Sequence, residues 1–292
     1  MAPVVKQRAP NAYASEFVTE LVSIAIGNSE LVVFCKHGND YLDHGLRRGV
    51  RYEASVYDPA LRVLGADAPR FYGSFSGAHG STLVVEFLQG ASRVHEAGTA
   101  KTAIVDAAAR LGALHARGES LVDRPSLSFL NRYDGEQLRS WLSRVGGLAK
   151  LPALSALLGP LVSDGTRIAG ALAAARPTVI HGELYPSNVL LEAERIAFVD
   201  WETAGVGPGE IDLAALTAGD WGEEIRRACE SAYSRSRWPS GPPREYEATL
   251  AAARVHVLMR LAAHWRRDPD RLASESWLAE EIAEAADRLG GR

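Results

Sequence analysis

The sequence predicts an α+β fold of two lobes, a small β-rich lobe over residues 1–90 and a larger, mostly helical lobe over residues 91–292. Three observations carry this. The first third strings Val-, Ile- and Phe-rich runs between turn residues. The character changes near Gln89-Gly90. Beyond Ser92, long helical stretches dominate, and only a few short apolar runs read as strands.

In the first lobe, Val4 to Arg8 reads as a short strand before the Pro10-Asn11 loop. Glu16 to Ile26 and Glu30 to Lys36 read as paired strands, because Gly27-Asn28-Ser29 between them is a strong hairpin signal. Tyr52 to Leu64 has helical content, with a break expected at Asp58-Pro59, where proline removes a backbone donor. Phe71 to Phe75 and Thr82 to Leu88 are two further strands.

In the second lobe, Thr99 to Arg117 is predicted helical, with Thr99 as N-cap and Gly118 closing it. Tyr133 to Val145 and Leu151 to Ala175 are helical too, the latter broken near Gly159-Pro160. Thr178-Val179-Ile180 and Ile196 to Val199 are short strands. After Pro208 come helices at Ile211 to Ala218, Gly222 to Ser234, Arg244 to Arg267 and Arg271 to Leu289.

Composition narrows the function classes. Hydrophobic residues make up 47% and charged ones 23% of 292, values of a well-cored globular chain. Net charge is −4 and no dense basic run exists, so a nucleic-acid partner is not expected. The pairs Arg47-Arg48 and Arg266-Arg267 read as solvated helix faces or ends. Cys35 and Cys229 lie far apart and read as reduced, buried thiols. No apolar run suits a signal peptide or a membrane span, so a cytoplasmic protein without a membrane partner is expected. The oligomeric state is left open.

The strongest chemical signal is His181-Gly-Glu-Leu-Tyr-Pro-Ser-Asn188, followed by Ile196-Ala-Phe-Val-Asp200. It sets a carboxylate, an amide five residues on, and a second carboxylate at a strand end. A hairpin from Val189 to Val199 would bring Asn188 and Asp200 together. Phosphoryl transfer needs such parts: a group to orient the acceptor hydroxyl, and oxygen ligands for Mg²⁺. There is no G-x-S-x-G elbow, H-E-x-x-H or C-x-x-C to favour hydrolysis or redox chemistry.

This ordered set, continued by Trp201-Glu202 and by Asp212-Leu213-Ala214, resembles the aminoglycoside phosphotransferase family of the protein-kinase-like fold. The resemblance implies a kinase that transfers the γ-phosphate of ATP or GTP to a sugar-like metabolite or antibiotic. It implies Glu183 as acceptor-orienting base, Asn188 and Asp200 as Mg²⁺ ligands, and Asp212 and His181 as braces of the catalytic loop.

Two departures stand out. Glu183 replaces the usual Asp; its extra methylene moves the carboxylate by roughly 1–1.5 Å, a displacement that can cost about a hundredfold in rate. The alternative reading is therefore a weak or inactive nucleotide-binding pseudokinase. Pro208 stands where a further family Asp often lies, which leaves Glu210 as a structural or solvated residue.

The fold also implies a phosphate-binding lysine and its glutamate partner. Lys36 ends a predicted strand on the face of Val32 and Phe34, in a chain whose other lysines are Lys6, Lys101 and Lys150. Glu53 is its expected partner. Ser15 is a candidate phosphate contact, and the backbone from Glu86 to Leu88 a candidate adenine hinge. For the acceptor, Asp220, Trp221, Glu223 and Glu224 form an acidic, aromatic cluster suited to an aminated sugar. Arg260, His264 and Trp265 are further candidates, as are Tyr185 and Ser187 in the catalytic loop.

Overall fold

The structure is a computed structural model that describes residues 3–11, 17–43, 45–78, 80–148, 165–265 and 276–290. Strands β1 (Val4–Pro10), β2 (Val18–Ile26) and β3 (Ser29–Gly38) form an antiparallel meander, with the turn at Gly27-Asn28. A two-stranded ribbon follows, β4 (Tyr41–Asp43) and β5 (Leu46–Arg48). Helix α1 (Val50–Ser55) runs through a wider π-type turn over Val56–Leu61 into α2 (Arg62–Leu64). The expected break is there: Asp58 leaves helical geometry at φ −136° and ψ 112°, because the ring of Pro59 crowds the α conformation of the residue before it. Strands β6 (Phe71–Gly77) and β7 (Gly80–Glu86) complete a sheet of order β1-β2-β3-β7-β6.

Alternation along β3 sorts its side chains. Val33 and Cys35 pack with Val22 in a small core on one face. Phe34 packs against the main core on the other, and Lys36 shares that side.

The second lobe begins at β8 (Ser92–Arg93) and the long helix α3 (Ala100–Glu119). Then come β9 (Asn131–Arg132), α4 (Gly135–Leu148) and α5 (Gly165–Ala174). Most of the predicted Leu151 to Ala175 helix, including Gly159-Pro160, lies outside the described residues. Strands β10 (Pro177–Ile180), β11 (Val189–Glu192), β12 (Arg195–Phe198) and β13 (Gly205–Pro208) carry the loops of interest. Helices α6 (Glu210–Leu216), α7 (Glu223–Arg237), α8 (Tyr246–Trp265) and α9 (Ser276–Gly290) close the chain.

Strands of two residues, β8 and β9, and the glycine-rich β13 carry too little pattern to be read in the sequence. Each is made by a partner: β8 pairs with β11, while β9 and β10 flank β13. Among the described residues no helix is long and apolar enough to cross a membrane.

Thr99 takes the N-cap position of α3 as expected, without a side-chain capping hydrogen bond, while the expectation for Gly118 fails. Gly118 lies inside the helix, buried, where a Cβ would overlap Thr178 Oγ1; it permits close approach to β10 and ends nothing. Gly112 plays the same part toward α7, since a Cβ there would overlap the carbonyl oxygen of Tyr233. Gly112→Ala would ordinarily favour a helix by about 1 kcal/mol. Here overpacking against backbone costs about 1–3 kcal/mol and wins. The expected result in a thermal melt is a midpoint lower by about 2–6 °C; an unchanged or raised midpoint would show that α3 and α7 part freely.

Candidate active site

The loop after β10 is held from below by Asp212. Its carboxylate, fully buried in the first turn of α6, accepts from the backbone N–H of His181 at 2.6 Å and of Gly182 at 2.8 Å. It also accepts from His115 Nε2 at 3.2 Å, while His115 Nδ1 faces the Tyr233 hydroxyl at 2.9 Å. Burial holds the His115 pKa down, so the imidazole is a neutral link in this chain. Arg237 continues it from Tyr233 to Glu210, 3.1 Å away, which makes Glu210 a buried structural partner.

Gly182 has φ 87°, and a Cβ there would overlap the Thr203 carbonyl oxygen, so glycine is required between His181 and Glu183. His181 is fully buried, with its ring 4.5 Å from that of Trp201. Its Nε2 donates to the Val199 carbonyl at 2.9 Å, and its Nδ1 accepts from the Glu183 N–H at 3.4 Å. Both ring nitrogens are committed to the loop. Asn188 closes a tight turn over Pro186–Asn188 and donates from Nδ2 to the Glu183 carbonyl at 2.9 Å. Its own carbonyl accepts from the Val199 N–H at 3.0 Å, so the β11–β12 hairpin sets Asn188 beside the strand end that carries Asp200.

Asp200 has φ 68°, a left-handed conformation that aspartate tolerates better than most residues. Lys36 reaches it from the other lobe at 2.6 Å. The same ammonium lies 2.8 Å from Glu53 Oε2 and 3.0 Å from Glu202 Oε2, and 4.8 Å from the centre of the Phe17 ring. Burial alone would lower the Lys36 pKa, but three carboxylates raise it well above its ordinary value. Burial raises Glu53, and it pushes Glu202 up to about 7 against the pull of Lys36. For Asp200 burial works upward too, yet the Lys36 charge prevails and the pKa falls. Glu53, Asp200 and Glu202 offer carboxylate oxygens within 4.8 Å of one another, a hard-oxygen set of the kind that magnesium takes. Glu202 escaped the sequence reading; its position two residues beyond Asp200 was the available signal.

Glu183 is gripped by two arginines. Arg48 Nη2 and Arg260 Nη2 both pair with its Oε1, and Arg260 Nη1 donates to the Gly182 carbonyl at 2.8 Å. Among the described residues Oε2 accepts no hydrogen bond. Burial favours the neutral acid, but Arg260 and then Arg48 hold the Glu183 pKa below its ordinary value. Arg48 therefore corrects the expectation of a solvated helix residue: it ends strand β5, and only 12% of its side chain is exposed. Arg266-Arg267 lies outside the described residues.

Other expected positions are placed as follows. Ser15 lies outside the described residues. Glu86 spends its carboxylate on Arg195, at 3.0 and 2.8 Å, and its N–H on the Arg70 carbonyl at 2.8 Å. Glu86 pairs with Val33 of β3 in the ladder, and the Leu88 side chain is buried beyond the end of β7. Tyr185 stays a protonated phenol, pushed up to about 12 by burial. Within the acidic cluster, Glu223 pairs with Arg227 at 2.7 Å and Arg288 at 3.3 Å, and Asp220 is exposed. His264 is exposed, and the Trp265 side chain lies outside the description.

A family model described as the phosphotransferase enzyme family matches residues 41–247, and the chain belongs to that family. Sequence comparison with curated proteins gives no match. The fold is kinase-like and shared with solved structures at low identity. Choline kinase LicA from Streptococcus pneumoniae is 15% identical, with a TM-score of 0.65 over 99% of this chain and 94% of that one. A spectinomycin phosphotransferase, solved with ADP and spectinomycin, is 13% identical, with a TM-score of 0.66 over 98% and 94%. Macrolide 2'-phosphotransferase MphH from Brachybacterium faecium is 19% identical, with a TM-score of 0.59 over 96% and 91%.

The raised Glu202 pKa has a stability consequence. The folded protein keeps this proton to about pH 7, whereas an ordinary glutamate releases it near 4.5. The native state then binds more protons across that window, so stability falls as pH rises through it. In the ligand-free protein the contribution is on the order of 1–3 kcal/mol. Urea midpoints followed from pH 4.5 to 7 should decline less in Glu202→Gln than in wild type; parallel curves would contradict the assignment.

Proposed function

We propose that this chain is a small-molecule kinase that transfers the terminal phosphoryl group of ATP or GTP to a hydroxyl of a sugar-like metabolite or antibiotic. The observation that carries the reading is Lys36, held by Glu53 at 2.8 Å and set against Asp200 at 2.6 Å, so that a phosphate-seeking cation meets a metal-seeking carboxylate. Residues 1–90 form the nucleotide lobe of this proposal and residues 91–292 the catalytic and acceptor lobe. A cytoplasmic location suits the nucleotide supply.

In this mechanism Lys36 engages the inner phosphates, and the backbone near Glu86 and Leu88 and the hydroxyl of Ser15 are candidate donor contacts. Asn188 and Asp200 would hold Mg²⁺ with Glu202, and the ion would neutralise phosphate charge. The fit rests on the oxygen donors, and on an Asn188 amide whose Nδ2 is spent on the loop, leaving Oδ1 to coordinate. The acceptor oxygen forms its bond to phosphorus as the bond to the leaving nucleoside diphosphate breaks, and the hydroxyl proton passes to Glu183 Oε2.

Arginine pairing makes Glu183 a weaker base. Phosphoryl transfer tolerates this, because positioning and charge stabilisation supply most of the rate and the proton can leave late. The same pairing anchors the longer glutamate side chain, which answers its extra methylene.

The test is Mg²⁺-dependent consumption of ATP and GTP with aminoglycosides, amino sugars, nucleosides and choline-like alcohols. Glu183→Ala should lower kcat by about 10²–10⁴-fold, and Asp200→Ala should remove Mg²⁺-dependent turnover. Nucleotide binding without turnover on any acceptor would favour the non-catalytic reading. A folded protein that binds neither nucleotide would end the proposal.

A further inference from the structure

We infer that Arg48 is a further catalytic residue, which donates hydrogen bonds to the phosphoryl group in transit between nucleotide and acceptor. The inference rests on the phosphotransfer reading and adds to it the cation that meets the developing charge. It starts from where the guanidinium lies. Arg48 Nη2 pairs with Glu183 Oε1, at the end of the site where the acceptor hydroxyl is oriented. Arg48 Nη1 lies 3.9 Å from Glu202 Oε1. The other oxygen of Glu202 is 3.0 Å from the Lys36 ammonium, which also meets Asp200 at 2.6 Å. Arg48 therefore reaches from the acceptor end of the site to the donor end. The phosphorus must cross that interval as its bond to the acceptor oxygen forms and its bond to the leaving diphosphate breaks.

Arg48 is fixed in place without being saturated. Arg47, the residue before it, donates from its N–H to Asn131 Oδ1 at 2.9 Å and accepts at its carbonyl from Asn131 Nδ2 at 2.8 Å. Strand β5 is thereby bonded to β9 of the second lobe. Glu183, Asp43 and Glu202 surround the guanidinium and balance its charge at rest. Its hydrogen-bonding capacity is not used up. Among the described residues Nε is buried without a hydrogen-bond partner, since Asp43, at 3.5 Å, lies outside good geometry. The 3.9 Å to Glu202 is also too long for a hydrogen bond. Buried donors are ordinarily paired, and a phosphoryl oxygen would complete this one. Arg260 has a different part. It pairs with the same oxygen of Glu183, but its Nη1 donates to the Gly182 carbonyl at 2.8 Å, so it is bonded to the loop itself. Glu183 keeps Arg260 when Arg48 turns to the phosphoryl group. Charge on the three equatorial oxygens is then met by a planar fork of donors already in position. No proton leaves the guanidinium.

The experiment uses the full chain and needs no acceptor. Mg-ADP is titrated by calorimetry with and without fluoroaluminate, a mimic of the phosphoryl group in transit. Failure of the folded protein to bind Mg-ADP brings down the phosphotransfer reading, and this inference with it. Wild type should bind Mg-ADP more tightly when fluoroaluminate is present. Arg48→Gln should lose about tenfold to a hundredfold of that gain, the worth of a hydrogen bond to a charged group, and should bind Mg-ADP alone as wild type does. Arg260→Gln should keep the gain. Should Arg48→Gln fail to fold, Arg48→Lys is read by the same rule, since an ammonium lacks the planar fork.

Glu183→Ala separates catalysis from positioning. A loss on Arg48→Gln that persists in the Glu183→Ala background supports a direct contact with the phosphoryl group. A loss that vanishes there means that Arg48 works only through Glu183, and the inference falls. It falls as well if wild type shows no gain from fluoroaluminate, or if Arg260→Gln loses as much of the gain as Arg48→Gln. Equal weakening of Mg-ADP with and without fluoroaluminate would assign Arg48 to the donor phosphates and would also overturn it.

Discussion

Lys36 is buried among three carboxylates, and the relation of the two lobes depends on it. A buried ammonium is costly unless its partners surround it, and here they come from both sides of the cleft. Glu53 belongs to α1, and Asp200 and Glu202 follow the β11–β12 hairpin. Glu53 also accepts from the Trp201 N–H at 3.1 Å, so one side chain fixes the lysine and the loop beyond Asp200 together. Nearby, the Tyr52 hydroxyl donates to the Ala204 carbonyl at 2.6 Å and accepts from the Asn131 N–H at 3.0 Å. The helix after the ribbon is thereby bonded to the catalytic lobe at consecutive residues.

The loop after β10 depends on a different kind of support. The backbone N–H groups of His181 and Gly182 donate to the buried Asp212, and the side chains of His181 and Asn188 tie the loop to Val199 and to itself. Asp212, His115, Tyr233, Arg237 and Glu210 form a connected hydrogen-bonded chain beneath it in the low-dielectric interior. Glu183 is fixed from the opposite side by Arg48 and Arg260. The two arginines lower its pKa and give its carboxylate a defined orientation.

Much of this was legible because it is local in sequence. The step from Glu183 to Asn188, the short hairpin and Asp200 depend on spacing along one stretch of chain. Lys36 could be read from strand alternation, and Glu53 from the fold that the motif implied. Arg48 could not be read: beside Arg47 it looks like surface charge, and nothing nearby announces a partner 135 positions away. Gly118 was misread because a helix-ending glycine and a close-packing glycine look alike until Thr178 is placed against it. Within the acidic run from Asp220 to Glu224, nothing in the sequence showed that Glu223 would meet Arg288 of α9.

By itself, then, the sequence determined the two-lobed α+β architecture, the ordered loop and hairpin from His181 to Asp200, and the lysine at the end of β3, since periodicity and short-range spacing specify elements and their order. Only the tertiary structure decided which charges meet: Lys36 with Glu202, and Glu183 with Arg48 and Arg260. The physical reason is that electrostatic pairing depends on distance and burial in space, and the residues that share a cleft come from segments whose separation along the chain carries no trace of it.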